Sequence, residues 1–258
     1  MSRIDDMFKD LKGKKAFCVY LMSGYPDNET CLEIMELCSK YVDFFELGMP
    51  FSDPSADGPL IKTAGTIALE KGASTKSTLE LIKKFRKTNN KTPIVWMGYY
   101  NSIFNSNIIK EIELSGADGL LTVDLPIEEF KRLPKTNLDI IRLITPTTDK
   151  SRISEILKGA SGFIYFVSIA GITGTKEAQD LAIKNTVEYI KANTTIPCMV
   201  GFGIRDAQKA KKICKFSDGV IVGSALIKII SQNLNNKKEM FAKLEEFLAA
   251  FTQLNVEL

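Results

Sequence analysis

The 258-residue sequence predicts an α/β fold, a single (β/α)8 (TIM) barrel with an extra N-terminal helix, and three observations carry that expectation. Short, β-branched and aromatic runs alternate with amphipathic stretches from one end to the other. The runs are almost continuously apolar, as parallel strands covered on both faces require. No Pro/Gly/Ser linker, charge block or mid-chain change of composition interrupts the rhythm, so residues 1–258 read as one barrel domain, a size such barrels commonly have.

Eight runs qualify as strands: Ala16 to Met22, Val42 to Leu47, Pro93 to Met97, Gly119 to Val123, Leu138 to Ile144, Gly162 to Val167, Cys198 to Gly201 and Gly219 to Val222. Helical patterns between and after them include Glu29 to Ser39, Lys76 to Lys87, Asn107 to Leu114, Lys150 to Leu157, Lys184 to Ala192, Ala207 to Cys214 and Lys237 to Phe251. Pro26-Asp27, Ser74 to Ser77 and Asp149 supply start signals, because a short polar side chain can accept from the free N–H groups of a first turn. Met1 to Leu11 forms the extra helix, expected to plug the bottom of the barrel. The rival architecture is an open doubly wound sheet. Its G-x-G-x-x-G signature is missing after the first strand, where Ser23-Gly24-Tyr25-Pro26 stands instead.

Composition removes several function classes. Lys and Arg total 34 against 31 acidic residues, so the charge is only +3 and no basic excess marks a nucleic-acid binder. No apolar run reaches the ~20 residues that cross a bilayer, and the first dozen residues lack the apolar core of a signal peptide, so a cytoplasmic location is expected. The five cysteines (Cys18, Cys31, Cys38, Cys198, Cys214) form no C-x-x-C pair and read as free buried thiols. Histidine is absent altogether, which removes Ser-His-Asp and Cys-His catalysis, His-ligated metals and imidazole acid/base chemistry. Any proton transfer falls to Asp, Glu, Tyr, Lys or Cys.

Barrel chemistry belongs to the loops that leave the carboxyl ends of the strands. After the second strand comes Glu46-Leu47-Gly48-Met49-Pro50-Phe51-Ser52-Asp53-Pro54-Ser55-Ala56-Asp57-Gly58-Pro59. A glutamate at the end of an apolar strand points into the mouth, where low dielectric raises its pKa into the range of acid/base work. Asp57 can reach the same cavity and divide the proton traffic with it. The plainer alternatives are a rim ion pair for Glu46 and turn-stabilising hydrogen bonds for Asp53 or Asp57. Gly201-Phe202-Gly203-Ile204 and Val222-Gly223-Ser224-Ala225 follow strands seven and eight, where glycines and a helix N-terminus can hold a phosphate. Ser168 to Thr175 is a small-residue loop that reads as a lid or as a long turn.

These motifs, above all E-x-G-x-P-F-S-D-P-x-A-D-G-P, together with Ser168 to Gly174, Gly201 to Ile204 and Gly223-Ser224, make the chain resemble the tryptophan synthase α-subunit family over essentially its whole length. The resemblance implies retro-aldol cleavage of indole-3-glycerol phosphate to indole and glyceraldehyde 3-phosphate. No metal or organic cofactor is implied in this subunit; pyridoxal phosphate is expected in a β partner, within an α2β2 tetramer to which indole is passed. By the same resemblance, Glu46 shuttles protons and Asp57 holds the indole N–H. Gly174, Phe202, Gly203, Gly223 and Ser224 surround the phosphate, and Tyr20, Met97, Leu121 and Val123 line the indole slot. Tyr165 stands beside the glutamate, Thr173 serves the lid, and Pro50, Asp53 and Asn101 meet the partner.

Three positions depart from the family pattern: Lys62 replaces a common glutamine, Ile67 a common arginine, and Tyr20 is bulkier and more polar than usual. Met49-Pro50-Phe51 reads as an exposed apolar loop suited to a partner. Two other readings compete: a catalytically silent activator of the β subunit, and a different phosphate-binding barrel such as a sugar-phosphate isomerase, which would ordinarily lack the long carboxylate loop.

Overall fold

The computed structural model describes residues 2–104, 108–167, 176–201 and 203–255. It opens with helix α1 (Arg3–Leu11), whose Ser2 cap accepts from the Asp5 N–H while Asp5 accepts from the Ser2 N–H, a capping box that stops fraying. Strand β1 (Ala16–Met22) leads to α2 (Asn28–Cys38), and β2 (Phe44–Gly48) to α3 (Pro59–Glu70) and α4 (Thr75–Thr88). Next come β3 (Ile94–Gly98), the short α5 (Asn101–Phe104), α6 (Ile108–Ser115), β4 (Gly119–Thr122) and a 3-10 turn over Ile127–Arg132. Strand β5 (Asp139–Ile144), α7 (Lys150–Leu157), β6 (Ile164–Val167) and α8 (Lys176–Asn193) follow. The order ends with β7 (Cys198–Gly201), α9 (Ala207–Cys214), β8 (Gly219–Val222), α10 (Ser224–Gln232) and α11 (Lys237–Ala249). All eight strands pair in parallel with their sequence neighbours, and β8 pairs with β1, so the sheet closes on itself.

The expected strands are all present with ends moved by one or two residues. One helix starts earlier than expected, and one joins those read from the sequence. The segment after the carboxylate loop is a full helix, α3, started by Gly58 and Pro59 rather than by a capping side chain. Helix α8 begins at Lys176, eight residues before the expected Lys184, whereas α10 follows β8 directly, as the helix N-terminus expected at Gly223-Ser224 requires. Helix α3 is rich in apolar residues, so burial blurs its helical period.

Alternation along each strand sorts the side chains into two shells. Cys18, Phe44, Val95, Leu121, Ile141, Phe163, Tyr165, Met199 and Ile221 form the cluster inside the barrel, and their strand neighbours pack outward against the helices. Helix α1 closes the bottom as expected: Ile4 is fully buried, and Phe8 packs on Phe44 at 6.4 Å, which meets Phe163 at 5.1 Å.

The bottom is also laced by a repeated device. Asp43 accepts from the Phe17 N–H, Asp118 from Ile94 and Asp218 from Cys198, so the residue before an even strand caps the start of the preceding odd one. Ser161, three residues before β6, accepts likewise from the Ile140 N–H in β5 at 2.8 Å. Asp118 carries most, since its second oxygen takes Arg3 at 2.7 Å while Arg86 donates to the first at 2.8 Å. Burial pulls the Arg86 guanidinium down to about 10 although Asp118 holds it up. Asp118→Ala leaves Arg86 buried and unpaired, with an expected loss of about 3–5 kcal/mol in a urea unfolding titration.

Candidate active site

The same alternation decides what faces the mouth. Two residues above Phe44 stands Glu46, and by the same step Cys18 is followed by Tyr20, Val95 by Met97, Leu121 by Val123, and Phe163 by Tyr165. Register sets Tyr20 beside Glu46 across the β1–β2 ladder, and Glu46 beside Val95 across β2–β3. The residues expected to form a slot thus share the luminal face at the carboxyl end of the barrel.

Glu46 is fully buried, and neither carboxylate oxygen has a hydrogen-bond partner among the described residues. Burial alone drives its pKa well above the ordinary 4.5. The rim ion pair considered as the plainer alternative does not form among the described residues. Asp57 stands just before α3 and is also pushed up by burial, but Tyr99 and the charge of Lys62 oppose the rise. The Tyr99 hydroxyl donates to Asp57 Oδ2 at 3.1 Å and accepts from the Ala56 N–H at 3.0 Å, so one phenol fixes both the carboxylate and its loop. The positive end of α3 favours the same anion.

Tyr99 is a site residue that the sequence reading missed; its signal was a tyrosine directly after the third strand in a chain without histidine. Lys62 changes meaning as well. Read from sequence only as a departure from the family pattern, it supplies a charge that opposes the rise of Asp57.

Two glycines make room for the phenols at the mouth. A Cβ on Gly48 would lie 2.1 Å from the Tyr20 hydroxyl oxygen, and one on Gly201 would lie 2.2 Å from that of Tyr165. Tyr20 is held well above its ordinary pKa by burial, then by the charges of Asp57 and Glu46, and its hydroxyl donates weakly to the Met22 sulfur at 3.9 Å. Tyr165 is raised by burial and then by Glu46. Neither phenol ionises near neutrality; both remain O–H groups beside the carboxylates.

On the far side of the mouth, Gly203 has φ +72, a conformation that favours glycine. Gly223 precedes α10 and backs onto Tyr20, whose Cβ would lie 3.2 Å from an added Cβ there. Ser224 opens α10 with its side chain exposed. Gly201 and Ile221 are register partners at the ends of β7 and β8, so the loops that carry Gly203 and Gly223 leave the barrel from adjacent strands. Thr173, Gly174 and Phe202, with the whole segment 168–175 read from sequence as a lid or a long turn, lie outside the described residues.

The loop beyond Gly48 differs from expectation. Met49 and Pro50 are buried, not solvent-facing, and Phe51 is half-buried because its ring stacks on Tyr99 at 5.0 Å and 23°. Asp53 and Asn101 are exposed. Among the described residues, no group of three or more His, Cys, Asp or Glu converges as metal ligands, and no helix is long and apolar enough to cross a membrane.

Because the Glu46 value is raised in the folded state, stability is complete below about pH 4.5, where the carboxyl is protonated folded or unfolded, and falls as pH climbs toward the folded value. Glu46→Gln is therefore expected to be about 1–3 kcal/mol more stable than the parent at about pH 8, with the gap closing near pH 4, by denaturant titration across pH.

A family model described as Tryptophan synthase alpha chain matches residues 8–255. Among solved structures, a chain from Aquifex aeolicus VF5 is 36% identical, with a TM-score of 0.89 over 100% of both chains. Tryptophan synthase subunit alpha from Legionella pneumophila str. Paris is 34% identical, with a TM-score of 0.86 over 98% of each chain. A chain of the tryptophan synthase α2β2 complex from Pyrococcus furiosus is 32% identical over 92% of this chain and 98% of its own, with a TM-score of 0.83.

Proposed function

Because the chain belongs to the tryptophan synthase alpha chain family, it is the lyase subunit that cleaves indole-3-glycerol phosphate, and we propose that Glu46 and Asp57 carry that cleavage. The carrying observation is a pair of carboxyls at one mouth in unlike surroundings: Glu46 unpartnered and raised by burial alone, Asp57 bonded by Tyr99 and offset by Lys62. Environments that separate two carboxyls divide acid from anion.

In this reading Glu46, held neutral by its burial, delivers its proton to indole C3. The ring nitrogen becomes cationic, and anionic Asp57 accepts the N–H hydrogen bond and stabilises that charge. The Glu46 carboxylate then takes the proton of the glycerol hydroxyl next to the ring. The carbon–carbon bond breaks, its electron pair returns to the indole, and the hydroxyl carbon becomes the aldehyde of glyceraldehyde 3-phosphate. Glu46 regains its proton, so the cycle closes without another reactant.

Met97, Leu121, Val123 and Tyr20 would wall the flat ring, with Tyr165 beside the glutamate. Gly203, Gly223 and Ser224 would anchor the phosphate with Gly174 and Phe202, and Thr173 would serve the lid. Anchoring energy from the phosphate can then be directed to orientation at the reacting carbon.

The partner is the β subunit of the α2β2 enzyme, to which indole passes. Pyridoxal phosphate belongs to that subunit, and no residue here is assigned to it. Asp53 and Asn101, both exposed, are the proposed docking contacts; Pro50 is buried and is not among them. A location in the cytoplasm and one barrel domain over residues 1–258 complete the proposal.

Glu46→Gln should lower indole release from indole-3-glycerol phosphate by about 10²–10⁴-fold while still stimulating the β reaction. Unchanged release would remove Glu46 from its role, and release absent from the parent chain as well would leave an activator only. Tyr99→Phe deletes the bond that holds Asp57 down, so the acid limb of its kcat/KM profile should move to higher pH, with activity lost as pH falls through the raised value.

A further inference from the structure

Helix α9 contains a local conflict. Its capping residue Asp206 accepts from the Lys209 N–H at 2.8 Å, so the helix starts cleanly, and its third residue is then a lysine. A cation in a first turn faces the positive end of the helix dipole, which is unfavourable. Apart from the Asp206 cap, which is turned to the backbone, no acidic side chain stands in that turn, and among the described residues no carboxylate pairs with the Lys209 ammonium. Despite this, the side chain is half-buried and not extended into water.

Its direction accounts for the conflict. The Lys209 Nζ is the atom that a Cβ on Gly203 would meet, at 3.5 Å. The ammonium is thus folded back over Gly203 in the loop after β7, the strand next to the one that leads into Gly223 and α10. Everything else proposed at that end of the mouth is neutral: backbone N–H groups and the Ser224 hydroxyl. Such donors orient a phosphate well but contribute no full charge.

We propose that Lys209 is a substrate-positioning residue whose ammonium pairs with the phosphate of the substrate above Gly203. This rests on the lyase reading of the mouth and adds a charged contact to it. An incoming dianion resolves both defects of the free protein, the unpaired cation and its clash with the helix dipole. The same local rule-breaking is what a binding site leaves in an otherwise consistent fold.

The test uses glycerol 3-phosphate as probe and glycerol as control, titrated calorimetrically into the parent, Lys209→Met and Lys209→Arg chains. Lys209→Met is expected to bind glycerol 3-phosphate about tenfold more weakly, and Lys209→Arg to recover most of the loss. The ligand-free melting temperature of Lys209→Met should equal or exceed that of the parent, while its rise on adding the probe shrinks. In turnover, KM for indole-3-glycerol phosphate should rise about tenfold with kcat nearly unchanged.

If the parent binds the probe and releases indole but Lys209→Met binds equally well, the role of Lys209 is overturned and the lyase reading stands. If the parent binds glycerol 3-phosphate no better than glycerol and releases no indole, the reading of the mouth fails as well.

Discussion

The alternation of side chains in a closed parallel barrel is the constraint on which the rest depends. Each strand has only two faces, and closure leaves no edge, so every second residue must enter the lumen whatever its chemistry. At the bottom this puts Phe44, Phe163 and Ile4 together in an apolar plug. One step higher on β2, the same rule delivers a glutamate into surroundings that offer it no partner. The functional carboxyl and the core are consequences of one register.

Holding an unpartnered carboxyl in that position costs stability, and compensating interactions lie at the opposite end. The aspartates that cap the starts of β1, β3 and β7 join neighbouring strands, and Asp118 ties α1 and α4 to the sheet through Arg3 and Arg86. The two ends thus divide the labour usual for such barrels, a stable base and a mouth that holds an unpartnered carboxyl. At the mouth, small residues serve large ones: Gly48 and Gly201 leave the spaces filled by Tyr20 and Tyr165.

Electrostatics at the mouth are graded. Glu46 feels burial without relief, whereas Asp57 is relieved by a phenol, a lysine and the start of α3. That difference is what allows two similar carboxyls to take unlike roles in a chain without histidine. Lys209 extends the pattern to the phosphate end, where a cation awaits its counter-charge.

Much of this was legible from residues alone. Continuous apolar runs at regular spacing determined eight parallel strands and a barrel, because strands covered on both faces have no polar side. The carboxylate loop and the glycines after strands seven and eight marked the mouth through unusual local chemistry. Contacts between distant segments were not legible. Phe51 seemed free in sequence and is covered because Tyr99, on the next strand's loop, stacks on it. Tyr99 itself, the charge of Lys62 on Asp57 and the fold of Lys209 over Gly203 each join residues whose nearness arises only on closure. Local pattern records what a residue prefers, and tertiary structure decides what it meets, since burial and pKa depend on neighbours the chain brings from elsewhere.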